Sequence, residues 1–248
     1  MNKNKAKVLC VIQARMGSER LPGKVMMDIC GKPVIAHVIE RLKKCKHLDG
    51  IVLATSAKED DRILLDVAQQ YDIDACAGSE NDVLSRYVQA SQRFHGDIIV
   101  RVTGDCPLID PYIVDQLITE FKQCNCDYMR LDVPDTYPRG LDAEIFTFEA
   151  LKRANERAGG NGKYREHVTL IMYRQPQYFS ICCKKAPPHL TRPQYRFCVD
   201  TMEDFKLVVS IFENIYKPDS FIRAADIVNF LDKNPSLLAI NASIHQRI

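Results

Sequence analysis

Residues 13 to 24 read QARMGSERLPGK, a stretch that gathers two glycines, a proline, two arginines and a lysine directly after the apolar run KVLCVI. Glycines in such a loop let backbone N–H groups approach phosphate oxygens closely, and Arg15, Arg20 and Lys24 would bring positive charge to a triphosphate. The position suits that chemistry, because ligands collect at the carboxyl ends of strands in doubly wound sheets. A P-loop is excluded. Five residues separate Gly17 from Gly23, and Val25 stands where a magnesium-binding hydroxyl would follow the lysine.

Asp105, in TGDCPLIDP, leaves the end of the strand-like DIIVRVT and should point into the same cleft. Magnesium is usually held by one or two carboxylates together with substrate phosphates and waters, so a second carboxylate is sought. Asp200 in RFCVDTMEDF is the candidate, ending a strand and opening a helix. Thr201 and Asp204 sit where a capping pair would, and Asp110 precedes Pro111 at a helix start, so these are read as structural. Two further loops, Ala54-Thr55-Ser56 and Gly78 to Asp82, follow short strands and could recognise a base, with Arg101 and Thr103 on the adjoining strand. Ser79 and Asp82 are equally placed to cap the next helix. In the second half, RGLDAEIF and REHVTL carry Arg139, Asp142, Glu144, Arg165, Glu166 and His167, whose polar groups suit a polyhydroxylated ligand. An arginine there could hold a carboxylate in bidentate fashion, while a lone His167 could equally be structural.

These groups need a frame. KVLCVI, GIVLAT, IDACA and DIIVRVT are short β-branched runs separated by helical stripes such as Ile35, Val38, Ile39 and Leu42, or Val83, Leu84, Tyr87 and Val88. That alternation predicts an α/β fold with a mostly parallel sheet between helices. After residue 125 the alternation weakens: CDYMRLDV and AEIFTF read as strands, Glu149 to Ala158 and EHVTLIMY as helices, and YFSICC and RFCV as strands. A last helix puts Phe205, Val208, Val209, Phe212 and Ile215 on one face. With 248 residues, the chain is read as one domain spanning 1–248, with a small lobe inserted at about 127–180. A formal net charge of +2 without basic blocks argues against a nucleic-acid partner. No run approaches ~18 apolar residues, and MNKNKAK-VLCVI is too short for a signal peptide, so no membrane association and a cytoplasmic location are expected. The ten cysteines contain no CxxC and read as reduced thiols.

The segment VIQARMGSERLPGKVMMDICGKPVIAHVIERL resembles the opening of the cytidylyltransferases that make CMP-activated sugar acids. It is similar to CMP-Kdo and CMP-acylneuraminate synthetases, and above all to the branch of spore coat polysaccharide cytidylyltransferase-like proteins. The resemblance implies a three-layer Rossmann-like fold of the nucleotide-diphospho-sugar transferase kind. It also implies triphosphate contacts from Arg15, Ser18, Arg20 and Lys24, and CTP as the nucleotide. GSENDVLSRY matches a family motif that implies contacts from Ser79 and Asp82, with Ser56 and Arg101 bordering the same nucleotide site. The family's GDxPL-like and DTxxD-like motifs imply Asp105 and Asp200 around Mg2+, and its PxGLDxE and REHVT stretches imply an acceptor site. The part matching 127–180 serves dimer contacts in relatives, which implies a homodimer. The expected reaction is attack of a sugar hydroxyl on the α-phosphorus with release of pyrophosphate, carried by Arg15, Lys24 and Asp105. A nucleotide-sugar-dependent glycosyltransferase is the main alternative; those enzymes commonly show DxD, whereas Cys106 and Pro107 follow Asp105 here. A non-catalytic nucleotide-binding module is a third possibility.

Overall fold

The computed structural model describes residues 5–217 and 221–246. In chain order its first half runs β1 (Val8–Gln13), a short hairpin of β2 (Asp28–Ile29) and β3 (Lys32–Pro33), α1 (Val34–Leu42), β4 (Gly50–Ser56), α2 (Arg62–Gln70), β5 (Asp74–Gly78), α3 (Val83–Arg93), β6 (Ile98–Thr103) and α4 (Pro111–Gln123). The second half adds β7 (Tyr128–Leu131), β8 (Glu144–Thr147), α5 (Phe148–Ala158), α6 (Gly162–Glu166), α7 (Leu170–Arg174), β9 (Ile181–Lys184), α8 (Met202–Ile215) and α9 (Ala224–Lys233).

The four apolar runs of the first half become β1, β4, β5 and β6, and all seven strands of the main sheet lie in the order β5-β4-β1-β6-β8-β7-β9. Only β8 runs against its neighbours. β1 is buried on both faces, as a central parallel strand requires. Val8, Cys10 and Ile12 pack under α1, α2, α4, α8 and α9, while Leu9 and Val11 pack under α3, α5 and α7. The fold is therefore a three-layer α/β sandwich. The segment 127–180 extends the same sheet through β7 and β8 and carries α5, α6 and α7.

Two local expectations change. RFCV forms no strand and makes one isolated bridge, Arg139 to Arg196. Its backbone is used elsewhere: Phe197 N donates to Arg139 O, and Val199 N donates to Asp105 O, at 2.7 and 2.8 Å. EHVTLIMY is broken between α6 and α7, because fully buried Val168 turns into the core and Thr169 Oγ1 donates to Glu144 at 2.9 Å.

The contact between the RGLD and RFCVD segments depends on Gly140. Its φ is +100°, and a Cβ there would lie 2.6 Å from both Cys198 N and Phe197 C. Gly140→Ala is expected to cost roughly 1–3 kcal/mol of stability, read as a lowered melting temperature.

Candidate active site

Chain order reverses direction between β1 and β6, since β4 and β5 lie on one side of β1 and β6 on the other. A crevice opens at such a switch point, outside the carboxyl ends of the strands. Here it is a cavity of about 280 Å³ bordered by Arg15, Ser18, Arg20, Lys24, Asp105, Glu166 and His167. The loop after β1 reaches it by folding on itself. Ser18 N and Gly23 N both donate to Met16 O at 2.9 Å, and Gly23 takes a φ of +71° at the turn into Lys24. Met16 N in turn donates to Asp61 Oδ1 at 2.6 Å, and Ser56 Oγ donates to the other oxygen of that carboxylate.

Asp105 and Asp200 meet around the Lys24 ammonium. Lys24 Nζ lies 2.5 Å from Asp105 Oδ2 and 2.7 Å from Asp200 Oδ1. The second Asp200 oxygen, Oδ2, accepts from Arg20 at 3.0 Å and from Arg196 at 2.5 Å. Burial works against ionisation of Asp200, yet the charges of Lys24, Arg196 and Arg20 outweigh it and hold this carboxyl well below the usual carboxylate range. Burial likewise opposes the Lys24 charge, but the two aspartates hold its ammonium protonated well above the ordinary lysine range. Two carboxylates converging on one cationic position form a donor set that could hold a divalent metal with phosphate oxygens completing its shell.

The oxygen or sulfur donors of Cys198, Asp200 and Asp204 also lie within 4.8 Å of one another. Asp204 is unsuited to a metal, because Oδ1 accepts from Arg196 Nε and Asn241 Nδ2, and Oδ2 accepts from the amides of Asp200 and Thr201. It completes the predicted capping box of α8 with Thr201. Burial pushes the Cys106 and Cys198 thiols well above their ordinary range. They stay protonated and act as S–H donors to Asp105 and Asp200, at 3.6 and 3.7 Å.

Of the other sequence-derived residues, Glu166 and His167 border the cavity, and Glu166 pairs with Arg15 at 3.7 Å. Arg139 and Asp142 pair with each other at 3.3 Å. Burial raises the Asp142 carboxyl, opposed by Arg139 and the Gly140 amide. Arg165 is occupied by Asn155, Gly159 O and Asp82, which fastens α6 to α3. Ser79 and Asp82 organise the start of α3: Ser79 Oγ accepts from Asp82 N, and Asp82 Oδ1 caps Ser85 N. Ser56 is buried against Asp61. Arg101 forms a cross-strand pair with Glu144, which also accepts from Tyr128 and Thr169.

Three residues of the site escaped sequence reasoning. Arg86 borders the cavity while 2% exposed, and its Nε has no hydrogen-bond partner; the available signal was a charge four residues before Ala90 within an apolar stripe. Arg196 was signalled by the alternation of Arg196, Cys198 and Asp200. Asp61 lay inside the charged run KEDD, which reads as a solvated turn.

A cationic loop and paired carboxylates at the switch point of a three-layer sheet define an enzyme of the nucleotidyltransferase class. The chain belongs to the cytidylyltransferase family, whose model matches residues 9–225. It is 31% identical over 237 residues to the spore coat polysaccharide biosynthesis protein SpsF of Bacillus subtilis, covering 92% of this chain and 95% of that one. A shorter likeness, 37% over 116 residues, covers 46% of this chain and 44% of the 3-deoxy-manno-octulosonate cytidylyltransferase of Trichlorobacter lovleyi. Among solved structures, a cytidylyltransferase from Leptospira borgpetersenii superposes with a TM-score of 0.89 at 30% identity, over 98% of this chain and 99% of that one.

The lowered Asp200 carboxyl fixes a pH dependence. A depressed folded-state value contributes stability above the unfolded carboxylate range, near pH ~4, and loses it as pH falls toward the folded value. Stability curves taken downward from pH 5 should therefore fall more steeply for the wild type than for Asp200→Asn.

Proposed function

We propose that this chain transfers CMP from CTP to a hydroxyl of a sugar acid or related sugar, releasing pyrophosphate, in the synthesis of a cell-surface polysaccharide or glycan. The observation that carries this is the Lys24 ammonium shared by Asp105 and Asp200 at the edge of a cavity lined by Arg15, Ser18 and Arg20. Membership of the cytidylyltransferase family supports the nucleotide, and the likeness to SpsF and to the 3-deoxy-manno-octulosonate enzyme supports the acceptor class.

Arg15, Arg20 and Ser18 bind the triphosphate from the loop side, and their positive charge stabilises the negative charge that develops as the pyrophosphate oxygen departs. Lys24 neutralises the two carboxylates before the nucleotide arrives and turns toward phosphate oxygens once it is bound. Glu166 and His167 border the cavity and the approach of the acceptor hydroxyl; Arg139 and Asp142, paired with each other outside its lining, are assigned as further acceptor contacts. Aligning that hydroxyl with the α-phosphorus supplies much of the rate.

Asp105 and Asp200 fit Mg2+ as its protein ligands, because they already converge on one cation. When bound, Mg2+ would supply Lewis-acid stabilisation of the phosphate oxygens. Among the described residues no helix is long and apolar enough to cross a membrane; the reaction is assigned to the cytoplasm as part of this reading. The segment 127–180 is assigned the contacts of a homodimer, so light scattering should give about twice the 28.3 kDa chain mass.

The test is pyrophosphate release from CTP across a panel of sugar acids and neutral sugars with Mg2+ present. At least one acceptor should raise release well above the acceptor-free rate, and Asp105→Asn should lower kcat by about 10²–10³-fold. Release that no acceptor stimulates would overturn the assignment.

A further inference from the structure

The family match ends at residue 225, yet the chain continues through α9 and a 3-10 turn (Pro235–Ile240) and returns to the site. It returns onto Arg196, a buried arginine that the reaction itself does not use. All three guanidinium nitrogens are engaged: Nε donates to Asp204 Oδ1 at 2.8 Å, Nη2 to Asp200 Oδ2 at 2.5 Å, and Nη1 to Gln246 Oε1 at 2.7 Å. Asn241 Nδ2 donates to Arg196 O and to Asp204 Oδ1, at 3.2 and 2.9 Å.

The geometry decides which way Asp200 faces. Arg196 and Arg20 together occupy Oδ2, so Oδ1 is the oxygen turned toward Lys24 and Asp105. Asp204 is fully buried, and its four accepted bonds fix it on the N-terminus of α8, so the fork anchored on it is held in one orientation. A planar guanidinium can span Asp204, Asp200 and Gln246 at once, whereas an ammonium, a point charge on a flexible stem, cannot reproduce that fixed fork.

We propose that Arg196 is a positioning residue that orients Asp200, and that the C-terminal segment, through Asn241 and Gln246, locks Arg196 in that role. A stretch outside the family match thereby sets the geometry of a site carboxylate. The inference rests on the proposed role of Asp200 in holding a divalent cation.

The experiment follows Mn2+ binding to the full chain with CTP present, through the paramagnetic resonance signal of the free ion, alongside thermal melting. Arg196→Lys, which keeps the charge and loses the fork, should raise the Mn2+ dissociation constant about tenfold, and Asp200→Asn at least as much. Gln246→Ala, at an exposed position, should weaken Mn2+ binding roughly threefold without moving the melting temperature. Unchanged Mn2+ binding in Arg196→Lys beside a weakened Asp200→Asn overturns the positioning role alone. Unchanged binding in Asp200→Asn overturns the metal assignment beneath it, and the inference with it. If Arg196→Lys does not fold, Gln246→Ala decides: metal binding equal to wild type overturns the lock.

Discussion

The Lys24 ammonium between Asp105 and Asp200 is the contact on which the site is built. An uncompensated carboxylate partly withdrawn from water is costly, and two of them side by side also repel. One cation within hydrogen-bond reach of both removes each penalty and requires three remote parts of the chain to converge. The loop after β1 must fold back far enough to deliver Lys24, which explains its turn at Gly23 and the brace from Asp61 to Met16 N. The segment before α8 must approach the end of β6, which it does through the bond from Val199 N to Asp105 O.

The surrounding charges are ordered by burial. Asp204, with no exposed surface, is satisfied entirely by protein donors and serves the helix. Asp200, less buried, keeps one oxygen toward the cleft and gives the other to Arg20 and Arg196. Asp105 is the most open of the three and faces the cavity. The gradient runs from scaffold to chemistry within a single hydrogen-bonded chain, so a change at the scaffold end reaches the cleft through defined bonds. The same division holds across the sheet, where Glu144 is engaged by Arg101, Tyr128 and Thr169 while Glu166 and His167 border the cavity.

Much of this was legible in the primary structure. The short β-branched apolar runs and the period-3.6 stripes of the first half identified β1, β4, β5, β6 and the core faces of α1 and α3, because a strand buried on both faces reads as a continuous apolar run and an amphipathic helix as a spaced stripe. The QARMGSERLPGK loop and the Asp105 and Asp200 motifs were recognisable as cationic and anionic elements destined for one cleft; the strand-end rule placed the loop and Asp105 together, whereas Asp200 arrives from a segment that forms no strand. Asp204 and Thr201 were identified as caps from local spacing, because a capping box is a local bond.

What depends on distant partners was hidden. RFCV has the alternation of a strand, but its backbone bonds are taken by the Arg139 loop and Asp105, so only a bridge forms. EHVTLIMY has a helical stripe, but the burial of Val168 and the bond from Thr169 to Glu144 divide it. Whether Arg101, Glu144, Arg165 and Ser56 face a ligand or each other is likewise decided by which charges the fold brings within reach. The sequence by itself determined the layer architecture and the chemical types assembled in the cleft, since both follow from local spacing. The tertiary structure alone decided which of those charges are spent on one another, because a salt bridge between remote residues leaves no periodic trace.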